Sequence, residues 1–565
     1  MFARDKLYSF TAIAAALTMF LAAVLLNHAQ TAEYIAPQST IDYKDQLATG
    51  VIYLRVLLVM DGLLLLALLW LFRSSTNRSL VDHQSMSKPV ASRLQLPDLL
   101  IIPVLILAAA LRAYSANSGL WIDEYLTLVR YVRLDALYTA TNFYDDNQHW
   151  LYSLLARFSI TTFGESSWSL RLPAIVFGVA SVFATYLVGR NVFGRNVSLI
   201  AALILAISYH HIWYSQNARG YTILLFGTLL SVGLLHRALT DNRYRDWVLY
   251  ALVLALCVTA HLTGVFVGIA HFFVALIFLL SKKAPGSAWL KMVAGFAMAA
   301  WVTLHCFAVA IPQMMSFFAG GESASGTPNI HWKSLSWAVS ELFSNLGIPL
   351  QAGWVALAGF AIVGGLCCWI CWRRDRLFFA LATTPAIVLL LAMILLERNL
   401  WPRLLFNMAG FVVLYLSYLA FSAGNLALAR LPHVAPGVRY LPVVAVIAAF
   451  LIGTFSVYRY PKQDFQSAYQ YIDQNAADSD KVIALHMAGV IFRDIYQADW
   501  LVPDRNDDLS HHEAEDSDTW VVYTLPRYIK NARPQWQAKL NSEYQLARTF
   551  KGSLGDGDIL VYRKK

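Results

Sequence analysis

Residues 99–111 read Leu99-Leu100-Ile101-Ile102-Pro103-Val104-Leu105-Ile106-Leu107-Ala108-Ala109-Ala110-Leu111, and residues 119–125 read Gly119-Leu120-Trp121-Ile122-Asp123-Glu124-Tyr125. The first stretch is an apolar run that ends at a membrane surface. The second sets two adjacent carboxylates just beyond it, fenced by Trp121, Tyr125 and Tyr131, as a reaction centre at the rim of a bilayer would be. A carboxylate costs little there because water is near, whereas at mid-bilayer it would cost roughly 3 kcal/mol. Ordinary interfacial polarity is the plainer reading, and Asp-Glu alone does not exclude it. Neighbouring side chains on an irregular loop point different ways, so one can face a substrate while the other holds the loop.

Working outward, the 565 residues are 58% hydrophobic and 14% charged, where a soluble chain carries about 25% charged residues. Apolar runs of about 20 residues recur to residue 457, so the composition is that of an α-helical polytopic membrane protein. The net charge of +9 raises the question of nucleic acid, but Lys and Arg fall between the apolar runs and form no single basic patch. The five cysteines all lie in apolar runs or at their ends, so no disulfide framework is implied. Cys367-Cys368-x-x-Cys371 has a metal-like spacing but no second ligand pair nearby. Arg4 and Lys6 precede an apolar run from Leu7 to Leu26; with no clean small-residue cleavage site after it, this reads as a retained first span.

The hydropathy pattern predicts thirteen spans, at 7–27, 51–72, 97–114, 170–190, 197–213, 221–238, 246–261, 263–281, 291–311, 347–372, 377–396, 403–422 and 440–457. With that count, Arg73, Arg78, Lys88 and Arg93, Arg190 and Arg195, Arg237 and Arg243, Lys282 and Lys283, Arg373 and Arg374, and Arg430 and Arg439 all fall on one side. That side is cytoplasmic by the positive-inside rule, which puts the N-terminus inside and the C-terminal region outside. Three regions follow: 1–96, an N-terminal hairpin and basic linker; 97–457, the main membrane domain, with outer loops 115–169 and 312–346; and 458–565, a polar outer domain. In 312–346, Gly320 to Pro328 reads as a flexible lid. The outer domain reads as a small α/β unit, with a helix over Asp464–Gln474 and strands at Lys481–His486, Thr519–Thr524 and Asp558–Tyr562. His511-His512-Glu513 reads as an exposed polar loop in preference to a metal site.

Beside Asp123 and Glu124, the same outer loop carries Asp145 and Asp146, a second carboxylate or cation ligand if they are not simply a solvated turn beside Asn147. The segment His210-His211-Ile212-Trp213-Tyr214-Ser215-Gln216-Asn217-Ala218-Arg219-Gly220-Tyr221 joins two spans on that face, where positive charge is scarce. Arg219 therefore asks for an explanation: a guanidinium is a planar fork for phosphate oxygens, and interfacial snorkelling is the alternative. Arg398 and Arg403 begin a later span on the same face, and three such arginines can make an anionic-lipid pocket. Asp61 lies within an apolar run of the N-terminal hairpin, either a functional group or one packed against a polar neighbour.

Together these segments resemble the GT-C glycosyltransferases, in the protein O-mannosyltransferase and aminoarabinose-transferase branch. Trp121-Ile122-Asp123-Glu124-Tyr125 is similar to the family's Asp-Glu motif, His149-Trp150-Leu151-Tyr152 to its His-Pro-Pro-Leu-Tyr element, and Ser215 to Tyr221 to its Arg-x-Tyr element. Phe163 to Ser166, Arg171-Leu172-Pro173, Gly189 to Gly194, Arg398 to Arg403 and Tyr460 to Phe465 follow in the family's order, over about residues 98–480. Trp150-Leu151 replaces the Pro-Pro, and the N-terminal hairpin precedes everything that matches.

The resemblance implies an inner-membrane enzyme of GT-C fold that takes a sugar from a polyprenyl phosphate and gives it, with inversion, to an envelope glycan, lipid or protein. Asp123 would be the general base, with Glu124 the second catalytic candidate, supporting the loop or orienting the acceptor. Arg219, Arg403, Arg398 and Tyr221 would bind the donor phosphate, and His149, Tyr152, Asp146 and His211 the substrates. It implies no cofactor; a divalent cation is compatible but not required. The rival reading is a flippase of lipid-linked sugars, in which the carboxylates bind a coupling ion.

Overall fold

A bilayer leaves backbone N–H and C=O groups no partners except one another, so the apolar runs become helices. The computed structural model of the chain describes residues 2–36, 44–75, 96–319, 353–396, 401–430, 433, 435–504, 507–514 and 517–565. Helices α1 (Phe2–Leu25), α2 (His28–Ile35) and α3 (Lys44–Ser75) form the N-terminal hairpin. From α4 (Leu96–Ala113) the chain enters the outer loop, with α5 (Ile122–Thr127), a π-helical turn at Leu128–Val132, α6 (Ala136–Thr141) and α7 (Trp150–Phe163). The bundle continues through α8 (Ser167–Val192), α9 (Arg195–Ile207), α10 (Tyr209–Ser215), α11 (Tyr221–Asp241), α12 (Tyr244–Ala260), α13 (Gly264–Ser281), α14 (Gly286–Phe307) and α15 (Ile311–Ala319). It closes with α16 (Gly353–Arg374), α17 (Arg376–Leu395), α18 (Ala409–Arg430) and α19 (Leu441–Thr454).

Among the described residues ten helices are long and apolar enough to cross a membrane, or twelve if each of two bent pairs is one span. The chain is a multi-pass membrane protein. The expected span that is not among these twelve, 246–261, is α12, which has 17 residues. α11 lies at the centre, 72% buried, and α3 and α4 at the periphery, 17% buried, their outward Leu, Ile and Trp side chains suited to lipid. The expected lid, Gly320 to Pro328, lies outside the described residues.

The run expected as one span over 197–213 is two helices, α9 and α10, bent by 62° at the break. At the break the buried guanidinium of Arg112, at the end of α4, bonds two carbonyls of the last turn of α9. It donates to Leu205 O at 3.4 Å and Ala206 O at 3.1 Å. The bend swings residues 216–220 toward the end of the bundle where α4 finishes and α8 and α11 begin. Arg190, in the last turn of α8, and Arg237, in the C-terminal part of α11, are at the other end.

The outer domain consists of α20 (Phe465–Asn475), β1 (Lys481–Ala484), α21 (Met487–Tyr496), β2 (Thr519–Thr524), α22 (Pro526–Ala532), α23 (Pro534–Glu543), β3 (Tyr544–Phe550) and β4 (Ile559–Lys564). Its sheet has the order β1-β2-β4-β3, with β1 parallel to β2 and the other pairs antiparallel. β3 is absent from the expected strands because it is an edge strand that buries little except Tyr544 and Phe550, and a register shift at Leu546/Arg548 breaks its alternation. One face of this sheet is closed by Phe465, Ala468 and Phe492 together with Ile122 and Tyr125 from α5, so the outer domain and the outer loop share one apolar core.

Candidate active site

The site is built from Glu124 outward. Its carboxylate is wholly buried and forms a two-pronged ion pair with Arg171 in the first turn of α8, Oε1 with Nε at 2.7 Å and Oε2 with Nη2 at 2.6 Å. Oε1 also accepts the Ala218 N–H at 2.8 Å and lies 3.3 Å from Lys462 Nζ. Burial alone would raise the Glu124 pKa; Arg171, then Lys462, and the hydrogen bonds bring it down to about 2, so the group is a carboxylate at any working pH. Arg171 spends its remaining N–H groups on the carbonyls of Ala116, Ser118 and Gly119 at 2.8–2.9 Å. This one pair thus ties the 114–121 link, the α8 terminus and the 216–220 turn into a block. Glu124, expected among the catalytic candidates, has both carboxylate oxygens occupied by protein partners.

Asp123 faces the other way and is 22% exposed. Its Oδ2 accepts from Arg219 Nη1 at 2.9 Å and lies 3.7 Å from Arg403 Nη1, in the 3₁₀ stretch Pro402–Met408 that leads into α18. Arg219 is buried and held from three directions. Nε donates to His149 Nε2 at 2.7 Å, Nη1 also donates to Asn147 Oδ1, and the guanidinium sits 5.7 Å from the Tyr221 ring centre. Asn147 in turn donates to Thr127 Oγ1 at 3.3 Å and the Asp123 carbonyl at 3.4 Å, which locks the acid to its own helix turn. Arg403 is 34% exposed and stacks over Trp401. Neither Asp123 Oδ1 nor Arg219 Nη2 has a protein partner among the described residues. Two guanidiniums against one carboxylate leave a net positive charge at a partly open spot.

Of the other expected site residues, His149 is in this cluster: its Nδ1 bonds the Ala260 carbonyl at 3.0 Å. Burial, then the Arg219 cation, hold its pKa well below the usual range, so it is neutral. Asp146 is exposed beside Asp145 and near enough to Arg403 to act on it electrostatically. Two others stand outside this cluster. Tyr152 is fully buried and its hydroxyl donates to Leu170 O at 2.5 Å, pinning α7 to α8. His211 is also buried and is paired with Arg112 at the α9–α10 break. Both side chains are thus engaged with neighbouring helices, and neither contacts Asp123 or Arg219. Arg398 lies outside the described residues.

The residues that the sequence reading left out of the site are Arg171, Asn147, Lys462 and Gln463. Arg171, Lys462 and Gln463 stood in the resembling segments, which was a usable signal; Asn147 stood in none of them. Gln463 Oε1 caps the Ile122 N–H at 3.0 Å, and Lys462 bonds the Gln216 carbonyl, so the outer domain enters the site through two consecutive residues. Among the described residues no three His, Cys, Asp or Glu side chains gather as a metal site. His511 and Glu513 line a polar hollow of about 600 Å³ on the outer domain with Lys481 and Lys564, formed by none of the residues around Asp123.

Residues 147–312 match the sequence family described as dolichyl-phosphate-mannose-protein mannosyltransferase. That stretch includes Asn147, His149, Arg171 and Arg219 and starts after Asp123. No curated protein sequence matches the chain. Among solved structures, the chain is similar to ArnT from Cupriavidus metallidurans bound to undecaprenyl phosphate, at 12% identity over 82% of this chain and 97% of that one, with TM-score 0.47. It is similar to the Archaeoglobus fulgidus oligosaccharyltransferase in complex with Zn and sulfate, at 13% identity over 79% of this chain and 72% of that one, with TM-score 0.42. A third is the arabinosyltransferase EmbB from Mycobacterium smegmatis, at 14% identity over 72% of this chain and 46% of that one, with TM-score 0.36. The family matched by sequence is one of glycosyltransferases, in agreement with the resemblance carried by the outer-loop motifs.

Proposed function

We propose that the chain is an integral membrane glycosyltransferase that moves a sugar from a polyprenyl-phosphate donor to an envelope acceptor on the outer face, with inversion. The observation that carries this reading is the contact of Asp123 with Arg219 at 2.9 Å and with Arg403 at 3.7 Å, at one partly open end of the bundle. The family matched over 147–312, named for a lipid-phosphate sugar donor, supports the donor class. The basic turns at the opposite end support an inward N-terminus and an outward site.

The charges suit the chemistry. A lipid-phosphate sugar is a phosphodiester with one negative charge, and the site has one positive charge to spare. When the sugar leaves, its C1–O bond electrons stay with the phosphate, which gains a second charge. Arg219 and Arg403 then bind the leaving group more strongly than the donor, which is transition-state stabilisation. The acceptor oxygen or nitrogen attacks C1 from the opposite side, and its proton passes to the unpaired Oδ1 of Asp123. One displacement inverts the anomeric centre. A phosphate entering between the guanidiniums competes with Asp123 for them, so the donor itself releases the base.

The test uses purified protein and radiolabelled polyprenyl-phosphate sugar. Asp123→Asn should lose transfer by about 10²–10⁴-fold while still binding the lipid. An Asn variant as fast as wild type would remove Asp123 as the base. No transfer by either protein, with lipid crossing the membrane instead, would replace the enzyme with a flippase.

A further inference from the structure

His261, at the turn between α12 and α13, lies beside the Arg219 cluster and has no part in the mechanism so far. The backbone N–H of Thr263 donates to its Nδ1 at 3.2 Å, and the Thr263 hydroxyl is 2.9 Å from the same nitrogen. A backbone N–H can only donate, so Nδ1 is an acceptor, and a neutral imidazole with an accepting Nδ1 carries its proton on Nε2. That Nε2–H has no protein partner among the described residues, and it is not sealed in the interior.

The ring it belongs to is 4.6 Å from the His149 ring and 5.2 Å from that of Tyr221, the two rings against which the Arg219 guanidinium is seated. His149 is the opposite tautomer: its Nδ1–H goes to the Ala260 carbonyl and its Nε2 accepts from Arg219. One imidazole is therefore spent on holding the arginine, and the other keeps a donor in hand. Burial, then the nearby Arg219 and Arg403, pull the His261 pKa down to about 3. It stays neutral, so it adds a donor beside two cations without adding repulsion.

We infer that His261 contacts the donor, its Nε2–H donating to an oxygen of the lipid phosphate held by Arg219 and Arg403. This rests on the lipid-phosphate reading of the site. It gives the site a third, uncharged donor, arriving from the α12–α13 turn.

The experiment measures binding of undecaprenyl phosphate to the full-length protein in lipid nanodiscs, for wild type, His261→Phe and His261→Gln. Phe keeps the ring shape without the N–H, whereas the Gln amide nitrogen reaches near the position of Nε2. The Phe variant should bind about 10- to 100-fold more weakly, the value of a hydrogen bond to a charged group, and the Gln variant within about threefold of wild type. Equal affinity for wild type and Phe, or equal losses for Phe and Gln, would overturn the role of the N–H. Wild type that does not bind the lipid at all would instead bring down the function proposed above, and this inference with it. Inorganic phosphate should fail to compete at equal concentration, and competition as strong as the lipid's would overturn the lipid assignment. If the Phe variant does not fold, His261→Met takes its place in the same comparison.

Discussion

Two regions are attached to the central bundle, and they attach differently. The outer domain enters the site itself: Lys462 reaches Glu124 at 3.3 Å, Gln463 caps the helix that carries Asp123, and Phe465 shares a core with Ile122 and Tyr125. The N-terminal hairpin is fastened from the side. Asp61 accepts from Trp301 Nε1 at 2.6 Å and pairs with His305 at 2.8 Å, both on α14, and Gly50 lies so close to the Val309 carbonyl that a Cβ would sit 2.1 Å from its oxygen. The hairpin also packs apolar side chains on Tyr138 of α6. The outer domain is thus part of what orients the acid, and the hairpin is a neighbour of the bundle.

The largest expected effect comes where the outer domain and the bundle meet. Glu124→Ala strips Arg171 and Lys462 of their shared partner and leaves the Arg171 guanidinium buried without a carboxylate, so stability should fall by about 3–5 kcal/mol and transfer should vanish. Thermal unfolding and a transfer assay on the same sample check this. A variant with wild-type stability would mean that the block is held by something other than that carboxylate.

Lys462→Met should be milder, since Glu124 keeps Arg171, and its signature is in the pH dependence. Burial, then repulsion from Arg171, with Glu124 opposing, pull the Lys462 pKa from 10.5 down to about 7. Between those values the unfolded chain binds more protons than the folded one, so this residue makes wild-type stability rise with pH from about 7 to about 10.5. The Met variant should lack that rise. Unfolding curves at pH 7 and pH 9 decide it; parallel trends in the two proteins would take Lys462 out of the cluster.

Asp61→Asn should do least. An amide oxygen still accepts from Trp301, so stability should change by about 1 kcal/mol or less and transfer should stay within about twofold of wild type. A collapse of activity in that variant would erase the contrast between the two attachments.

The expectations that held were those carried by local pattern. Apolar runs located the helices, and the polar stretches between them included Asp123 and Arg219, which the structure brings into contact. The resemblance carried over to the family match because it rested on several segments in order. The buried partners of Tyr152 and His211 were not legible for a common reason: a polar group in a resembling segment looks the same whether it faces a cavity or a neighbouring carbonyl or guanidinium. The break after Ile207 was not legible, since α9 and α10 together are as apolar as a continuous span, and the partner that makes the break tolerable, Arg112, is contributed by another helix. β3 hid because only its two ends are buried.

The sequence alone determined that this chain crosses a membrane many times, and that an acid and an arginine stand at ends of its spans, because transfer free energy acts on each segment by itself. The tertiary structure decided which of two adjacent carboxylates faces outward and which is locked inside. Glu124 draws partners from α8, from the 216–220 turn and from Lys462, and Asp123 draws its own from Arg219 and Arg403. Such a division is set by where distant parts of the chain converge, and nothing in a pair of neighbouring acids distinguishes them until that convergence has happened.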